Sequence, residues 1–429
     1  MREIYAIVDV GTYQVRAVVG QPGEPGRVSV LGAASERTQG LDEKGVANIE
    51  KFSETLRQVL TRAAQQAALQ VSKVWVTLSH ASLRGESTQA IITFPQTDHE
   101  IQYADLERLR WQAVQRPVPE GFELIHVIPQ LYHLDHREGI RDPLGMSGIR
   151  LEGQYYLVYA PKALLGMIRR CFERIGVEVE GFVSRALVTA EACLTPEQKS
   201  MGAGLLMVGH HHTAVVLYHE GILKHFVILP MGSYWVTQDI REMIRGILPQ
   251  QAEDLKIKEG IALAAQAPES VLRFRLSTSM EVVEVQMRFL SQIIQARFEE
   301  ILVYAAKEIE EAGLLEKLHA GLYLSGGGVQ MRYFPSLVEY VLGQRAFYVD
   351  TKALLGPGLR REIHEPAWAG AVSLLALLPT LKEYLPPLPP EASTERKKAR
   401  EKNKEKSLFV EKIRSLLSET FKIPKELIE

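Results

Sequence analysis

The sequence predicts an α/β protein built as two related halves around a cleft, with an inserted α+β segment and a C-terminal amphipathic helix on a charged, flexible linker. Three observations carry this. A strand–turn–strand start at residues 4–19 is repeated about 200 residues later, at 202–227. Alternation of helix and strand is interrupted between Ser82 and Pro161 by a stretch rich in Gly and Pro turns. After Pro389 the composition turns basic and ends in an amphipathic pattern. With 429 residues, 46% of them hydrophobic, the chain can bury more than one core. A net charge of −2 argues against a general nucleic-acid binder, since the basic run is local.

The elements follow in chain order. Residues 4–10 and 15–19 read as strands joined by a tight turn at Gly11-Thr12. Asn48–Leu69 reads as a helix and Lys73–Leu78 as another strand. In the insert, Gln89–Thr93 and Glu123–Leu134 read as strands and Tyr103–Gln115 as a helix. From Lys162 the alternation resumes. Leu205–Val208, the turn Gly209–His212 and Thr213–Tyr218 repeat the logic of the start. Val283–Ala312 has the period of a long helix. Strand Leu322–Leu324 precedes the turn Ser325–Gly328, and the helix Trp368–Leu377 closes the folded body. In two such related halves, Gly-rich turns would face each other across the cleft, where backbone without Cβ can approach phosphate and point N–H groups at it.

The tail has a clear chemistry. In Ser407–Phe421 the side chains of Phe409, Val410, Ile413, Leu416, Leu417 and Phe421 fall in one apolar arc at 100° per residue. Lys412 and Arg414 lie on the polar side. Such a helix can rest in a bilayer interface, and the run Arg396–Lys406 would be drawn to anionic lipid. Docking on the chain's own body or on a partner protein is the alternative. A linker of about 25 residues reaches roughly 30 Å, which favours a remote target. Six part-buried side chains at about 1 kcal/mol each make a weak anchor, so stable attachment implies several copies acting together. Two cysteines, Cys171 and Cys193, suggest buried thiols in a reducing compartment. The N-terminus reads as a strand without the pattern of a signal peptide. No run reaches about 18 apolar residues. The expected place is the cytoplasmic face of a membrane.

The stretch Gly139-Ile-Arg-Asp-Pro-Leu-Gly-Met-Ser-Gly-Ile-Arg150 resembles a signature of the FtsA family of bacterial actin-like cell-division proteins. Leu124–Gln130, Asp9–Thr12, Ala252–Lys256, Leu324–Gly328 and Pro366–Ala369 resemble further family motifs, in order along almost the whole chain. The tail is similar to the family's membrane-targeting helix. The resemblance implies an actin-like two-domain fold with an ATP and Mg²⁺ cleft. It also implies an inserted subdomain 1C, self-association into protofilaments, binding of the tail of tubulin-like FtsZ, and recruitment of later division proteins at the division site. The boundaries it suggests are 1–81, 162–195 and 345–380 for subdomain 1A and 82–161 for 1C. Subdomain 2A takes 196–230 and 301–344, and 2B takes 231–300. The linker takes 381–406 and the membrane helix 407–423.

By the same resemblance Asp9 would hold hydrated Mg²⁺, and Gly11, Thr12 and Tyr13 would form the first phosphate turn, although the family usually has a small residue where Tyr13 stands. Gly209, His210 and Thr213 would form the second turn. Glu253 and Lys256 would reach ribose and base, or else be a solvated ion pair. Gly326, Gly327 and Gly328 would let the backbone approach the adenosine. Arg288, Arg297 and Glu300 are the candidates for the FtsZ tail, on a helix face that solvation would explain equally well. The second phosphate turn departs from the family's Asp-Ile-Gly-Gly-Gly-Thr-Thr-Asp: here it reads Met207-Val-Gly-His-His-His-Thr-Ala214. Met207 can neither order a metal nor activate water, so ATP hydrolysis is not expected to be efficient and ATP binding is expected to be weakened or altered. His210, His211 and His212 are adjacent and point apart, which disfavours a metal site. A milder expectation is that imidazoles donate to phosphate. Two other readings share the fold: a pilus-assembly adaptor, disfavoured by residues 139–150 and the tail, and a small-molecule kinase, which would need a carboxylate base where Met207 stands.

Overall fold

The computed structural model describes residues 3–23, 27–96, 98–356 and 361–387. The tail residues Phe409, Lys412, Ile413, Arg414, Leu416, Leu417 and Phe421 lie outside them. The described residues fall into two compact units. One takes Met1–Thr88, Pro117–Leu131 and Gln154–Leu385; the other takes Gln89–Arg116 and Tyr132–Gly153.

The first unit holds two five-stranded sheets of one design. In the first the order is Glu178–Ser184, Lys73–Leu78, Tyr5–Val10, Gln14–Pro22, Val28–Arg37. In the second it is Ala346–Tyr348, Gly321–Ser325, Ala203–Val208, Thr213–His219, Ile222–Leu229. Read this way, each sheet has two parallel pairings and then two antiparallel ones. The repeat expected from the two strand–turn–strand starts is therefore a repeat of whole sheets.

Strand periodicity sorts the core. Ala6, Val8 and Val10 join one cluster with Ala203, Leu205 and Met207, so one face of each sheet contributes to a shared core. The intervening Ile7 and Val18 pack on the other face against Trp368, Val372 and Leu375. Leu206, Val208, Val215 and Leu217 do the same toward Val236, Phe298 and Phe334. Helix Ile49–Ala67 starts where the Asn48 side chain accepts from the Lys51 N–H, and stops at Ala68 in the left-handed region.

Helix Met287–Glu311 starts later than expected, because Val282–Gln286 is a strand paired antiparallel with Val271–Arg275. The β-branched Val282, Val283 and Val285 favour the sheet over the helical period. Strands Val28–Arg37 and Arg150–Pro161 were not among the elements read from the sequence. The body also runs on past Leu377. Tyr384 donates its hydroxyl to Glu191 at 3.1 Å and accepts from the Val127 N–H at 2.9 Å. Glu191 also receives Tyr218 at 3.2 Å and Lys199 at 2.8 Å.

In the second unit the turn residue Asp135 accepts from the N–H groups of Ile149 and Arg150, at 3.0 and 2.8 Å. Gly139 and Gly145 take positive φ in the same signature segment, and Gly145 N–H bonds Ile101. The 139–150 pattern is thus a set of backbone requirements. A further sheet orders Arg84–Thr93, Arg150–Pro161, Phe122–Leu134 and Arg137–Ile140, parts of which belong to the first unit.

Candidate functional site: a cationic cleft in the first unit

A cavity of about 640 Å³ is lined by both turns and by the helix Pro249–Glu259. Of the residues expected there, Gly11, Thr12, Tyr13, Gly209, His210, Glu253, Lys256, Gly327 and Gly328 line it. Asp9, Thr213 and Gly326 are outside its lining.

Asp9 is fully buried. Sheet register sets its neighbours: Thr77 lies across the parallel pairing and Arg16 across the antiparallel one. Thr77 Oγ1 donates to Asp9 Oδ1 at 2.6 Å. The helix Arg185–Cys193 delivers a second cation, with Arg185 Nε 2.5 Å from the same oxygen and Nη2 donating to the Val10 carbonyl. Burial pulls the Arg16 guanidinium below its ordinary value, while the Asp9 charge opposes that. Arg16 also sits over the Trp368 ring at 5.6 Å. Gly370 completes the arrangement: a Cβ there would come within 2.6 Å of Arg185 Cγ.

The first turn is fastened by Thr38, whose hydroxyl and N–H bond the carbonyls of Gly11 and Tyr13. Tyr13 is held between the Arg37 guanidinium, 4.3 Å from its ring, and the His210 ring at 5.0 Å. The second turn is closed by a Gly209 N–H bond to the His212 carbonyl. The carbonyls of Gly209 and His210 take the first N–H groups of helix Ser233–Met243, from Ser233 and Tyr234. Gly232 permits this approach, since a Cβ would stand 2.4 Å from the His210 carbonyl oxygen. Met207 is buried in the shared core and borders the cavity. Burial lowers the His210 pKa to about 2 and the His212 pKa to about 3. His211 is lowered as well. The imidazoles are therefore neutral at pH 7.

Glu253 and Lys256 form a buried pair, contrary to the solvated alternative. Lys256 Nζ donates to Glu253 at 2.7 Å, and to the Ser233 carbonyl and Thr237 Oγ1 at 2.9 Å each. Thr237 donates to the same Glu253 oxygen. The three glycines divide their work. Gly326 takes positive φ against the Val208 carbonyl, Gly328 packs on the Val208 side chain, and a Cβ at Gly327 would meet nothing. Only Gly327 leaves a space that a ligand could use.

These residues fit a phosphate-bearing ligand but not Mg²⁺. Arg16, Arg185, Lys256, Lys258 and Arg332 line the cavity, against one carboxylate, Glu253. A hydrated Mg²⁺ beside Asp9 would have to compete with Arg185, which already pairs with Oδ1, and would stand beside the Arg16 charge across the strand pairing. Among the described residues no group of three or more His, Cys, Asp or Glu could hold a metal ion.

Sequence reasoning missed Arg16, Arg185, Tyr234 and Gly370. Arg16 had a signal: a lone cation inside an apolar strand, brought opposite Asp9 once the turn is centred on Gly11–Tyr13. On the expected partner surface, Arg297 is already engaged, by Asp239 at 2.6 and 2.8 Å and by Glu300. Arg288 is exposed beside Phe289. Phe289, Met243, Ile244, Val283 and Arg245 line a second cavity of about 520 Å³.

Comparison with known proteins agrees with this architecture. Residues 81–159 match the family model "SHS2 domain inserted in FTSA" and residues 205–373 match "Cell division protein FtsA". The chain is 28% identical over 375 residues to the cell division protein FtsA of Pseudomonas aeruginosa, covering 86% of this chain and 87% of that one. It is 29% identical over 367 residues to that of Streptococcus pneumoniae, covering 86% and 78%. Among solved structures it resembles one of a PilM–PilN type IV pilus biogenesis complex (TM-score 0.62, 18% identity, 88% of this chain and 99% of that one). It also resembles MreB5 of Spiroplasma citri bound to ADP (TM-score 0.54, 11% identity, 88% and 97%). At these identities the structural likeness establishes the actin-like fold alone.

Two outcomes are expected. Gly370→Ala forces Arg185 off Asp9 and costs about 1–3 kcal/mol in urea unfolding. The depressed imidazoles mean that the unfolded chain binds more protons below pH 6.5. Their stability contribution is thus present above pH 6.5 and is lost as pH falls toward the folded values. Between pH 7 and pH 5 the wild type should lose about 1–2 kcal/mol more per imidazole than His210→Asn/His212→Asn, measured by denaturation at each pH.

Proposed function

We propose, from the premise that this chain belongs to the FtsA family of actin-like cell-division proteins, that it works as a membrane-tethered scaffold rather than as an enzyme of turnover. The observation that carries this is the cleft wall. Its one carboxylate, Glu253, is bound through Oε2 to Lys256 and Thr237, and Met207 stands where a carboxylate would order the attacking water. A kinase of the same fold would need a base there. The pilus-adaptor reading shares only the fold, whereas the 139–150 segment lies within the inserted-domain match.

The amphipathic sequence 407–421 supplies the tether, on the cytoplasmic side of the cell membrane at the division site. Weak single anchors suit a protein that self-associates into protofilaments, since copies then bind the lipid together. The body would link FtsZ filaments to that membrane and receive later division proteins. For the FtsZ tail the favoured surface is the groove of Met243, Val283 and Phe289, flanked by Arg245 and Arg288. Apolar anchors beside cations suit an acidic, partly apolar peptide. Arg297 and Glu300 instead brace the helix beneath it.

Liposome flotation tests the tether. The full chain should float, better on anionic than on neutral vesicles, and a chain ending at Lys406 should not. Equal behaviour of the two would overturn the reading. For the partner surface, Arg288→Glu should weaken binding of an FtsZ tail peptide about tenfold, read by fluorescence anisotropy, with stability unchanged. Unaltered binding would remove this groove from the proposal.

A further inference from the structure

The cleft lining is cationic, and the Asp9 carboxylate stands outside that lining. Asp9, the carboxylate that would face a metal, is shut behind the cavity wall with Thr77 and Arg185 on Oδ1. Its Oδ2 is buried and has no hydrogen-bond partner among the described residues. Arg16 and Arg185 themselves line the cavity, so the cations lie on the ligand side and the carboxylate behind them.

Charge counting gives a surplus. Glu253 neutralises Lys256 and Asp9 pairs with Arg185, while Arg16 feels Asp9 and Glu365 without an ion pair to either among the described residues. Lys258 and Arg332 are exposed at the cavity and add to the excess. Guanidinium groups match phosphate oxygens in a planar fork, and they remain charged at any working pH. The neutral imidazoles of the second turn can donate to phosphate as well. The volume lies within the range of nucleotide-sized pockets, about 300–1,000 Å³, and the open space over Gly327 admits a base.

We infer that the cleft takes a nucleoside phosphate without a divalent metal, with Arg185 and Arg16 as the resident cations in the metal's stead. This stands apart from the tethering reading, which flotation tests separately. It reverses the sign of one substitution. In a metal-dependent site Asp9→Asn weakens nucleotide binding. Here it frees Arg185 from its ion pair and removes the opposing charge felt by Arg16, and should tighten binding.

The test is calorimetric titration of the full chain with ATP, inorganic triphosphate and adenosine, in excess EDTA and in magnesium. The ATP affinity of the wild type should agree within about threefold between EDTA and magnesium, and triphosphate should bind while adenosine does not. Asp9→Asn should bind ATP about threefold to tenfold more tightly in EDTA. Arg185→Gln combined with Asp9→Asn removes both charges and leaves no orphaned carboxylate. It should weaken binding about tenfold or more relative to Asp9→Asn alone. The wild-type comparison needs no variant to fold, and thermal melts with and without ATP give a second readout. Binding that requires magnesium, no binding in either buffer, or loss of affinity in a folded Asp9→Asn would each overturn the inference.

Discussion

A buried carboxylate must be neutralised where it stands, and the arrangement around Asp9 follows from that requirement. Stranding one such charge costs several kcal/mol, about 3–5 when a partner is removed. Thr77 and Arg16 are supplied by strand register, and Arg185 comes from the start of a helix more than 170 residues away. Gly370 clears the room and Trp368 underlies Arg16. One ion pair thus joins the N-terminal hairpin to the helix Arg185–Cys193, and Gly370 of the last helix lies close against the Arg185 side chain. The sheet that carries the first turn cannot shift relative to the helix Arg185–Cys193 without breaking that pair.

The second turn follows a different rule. Its bulky histidines are accommodated because its carbonyls are taken by the N–H groups at the start of helix Ser233–Met243, and because Gly232 lets the two segments touch. Met207 at its entrance faces the shared core, where a sulfur-bearing chain packs well and a carboxylate would need a partner.

Where pattern and period carried the information, the fold was legible. Lys73–Leu78 and the strand–turn–strand repeat follow from alternation, and Asn48 announces its helix by the chemistry of its side chain. Val282–Gln286 was misread because a short apolar run beside a long helix fits both periods, and only its pairing with Val271–Arg275 decides between them. In the cleft, the glycine turns and the Glu253–Lys256 spacing were readable as local features. Arg185 was not, because no spacing connects it to Asp9; only the fold brings them together. The burial of Glu253 and Lys256 likewise depends on Ser233 and Thr237 of another helix.

The bonds of Tyr384 have a mechanical meaning. A pull on the chain beyond residue 387 reaches the body through Tyr384, which hands it to Glu191 and to the backbone at Val127. Glu191 and Arg185 are on the same helix, six residues or about 9 Å apart along its axis. A rigid rod with tension applied near one end and a buried ion pair at the other is a lever. Load taken up at the C-terminus would therefore be felt at the floor of the cleft, with no need for a loop to move.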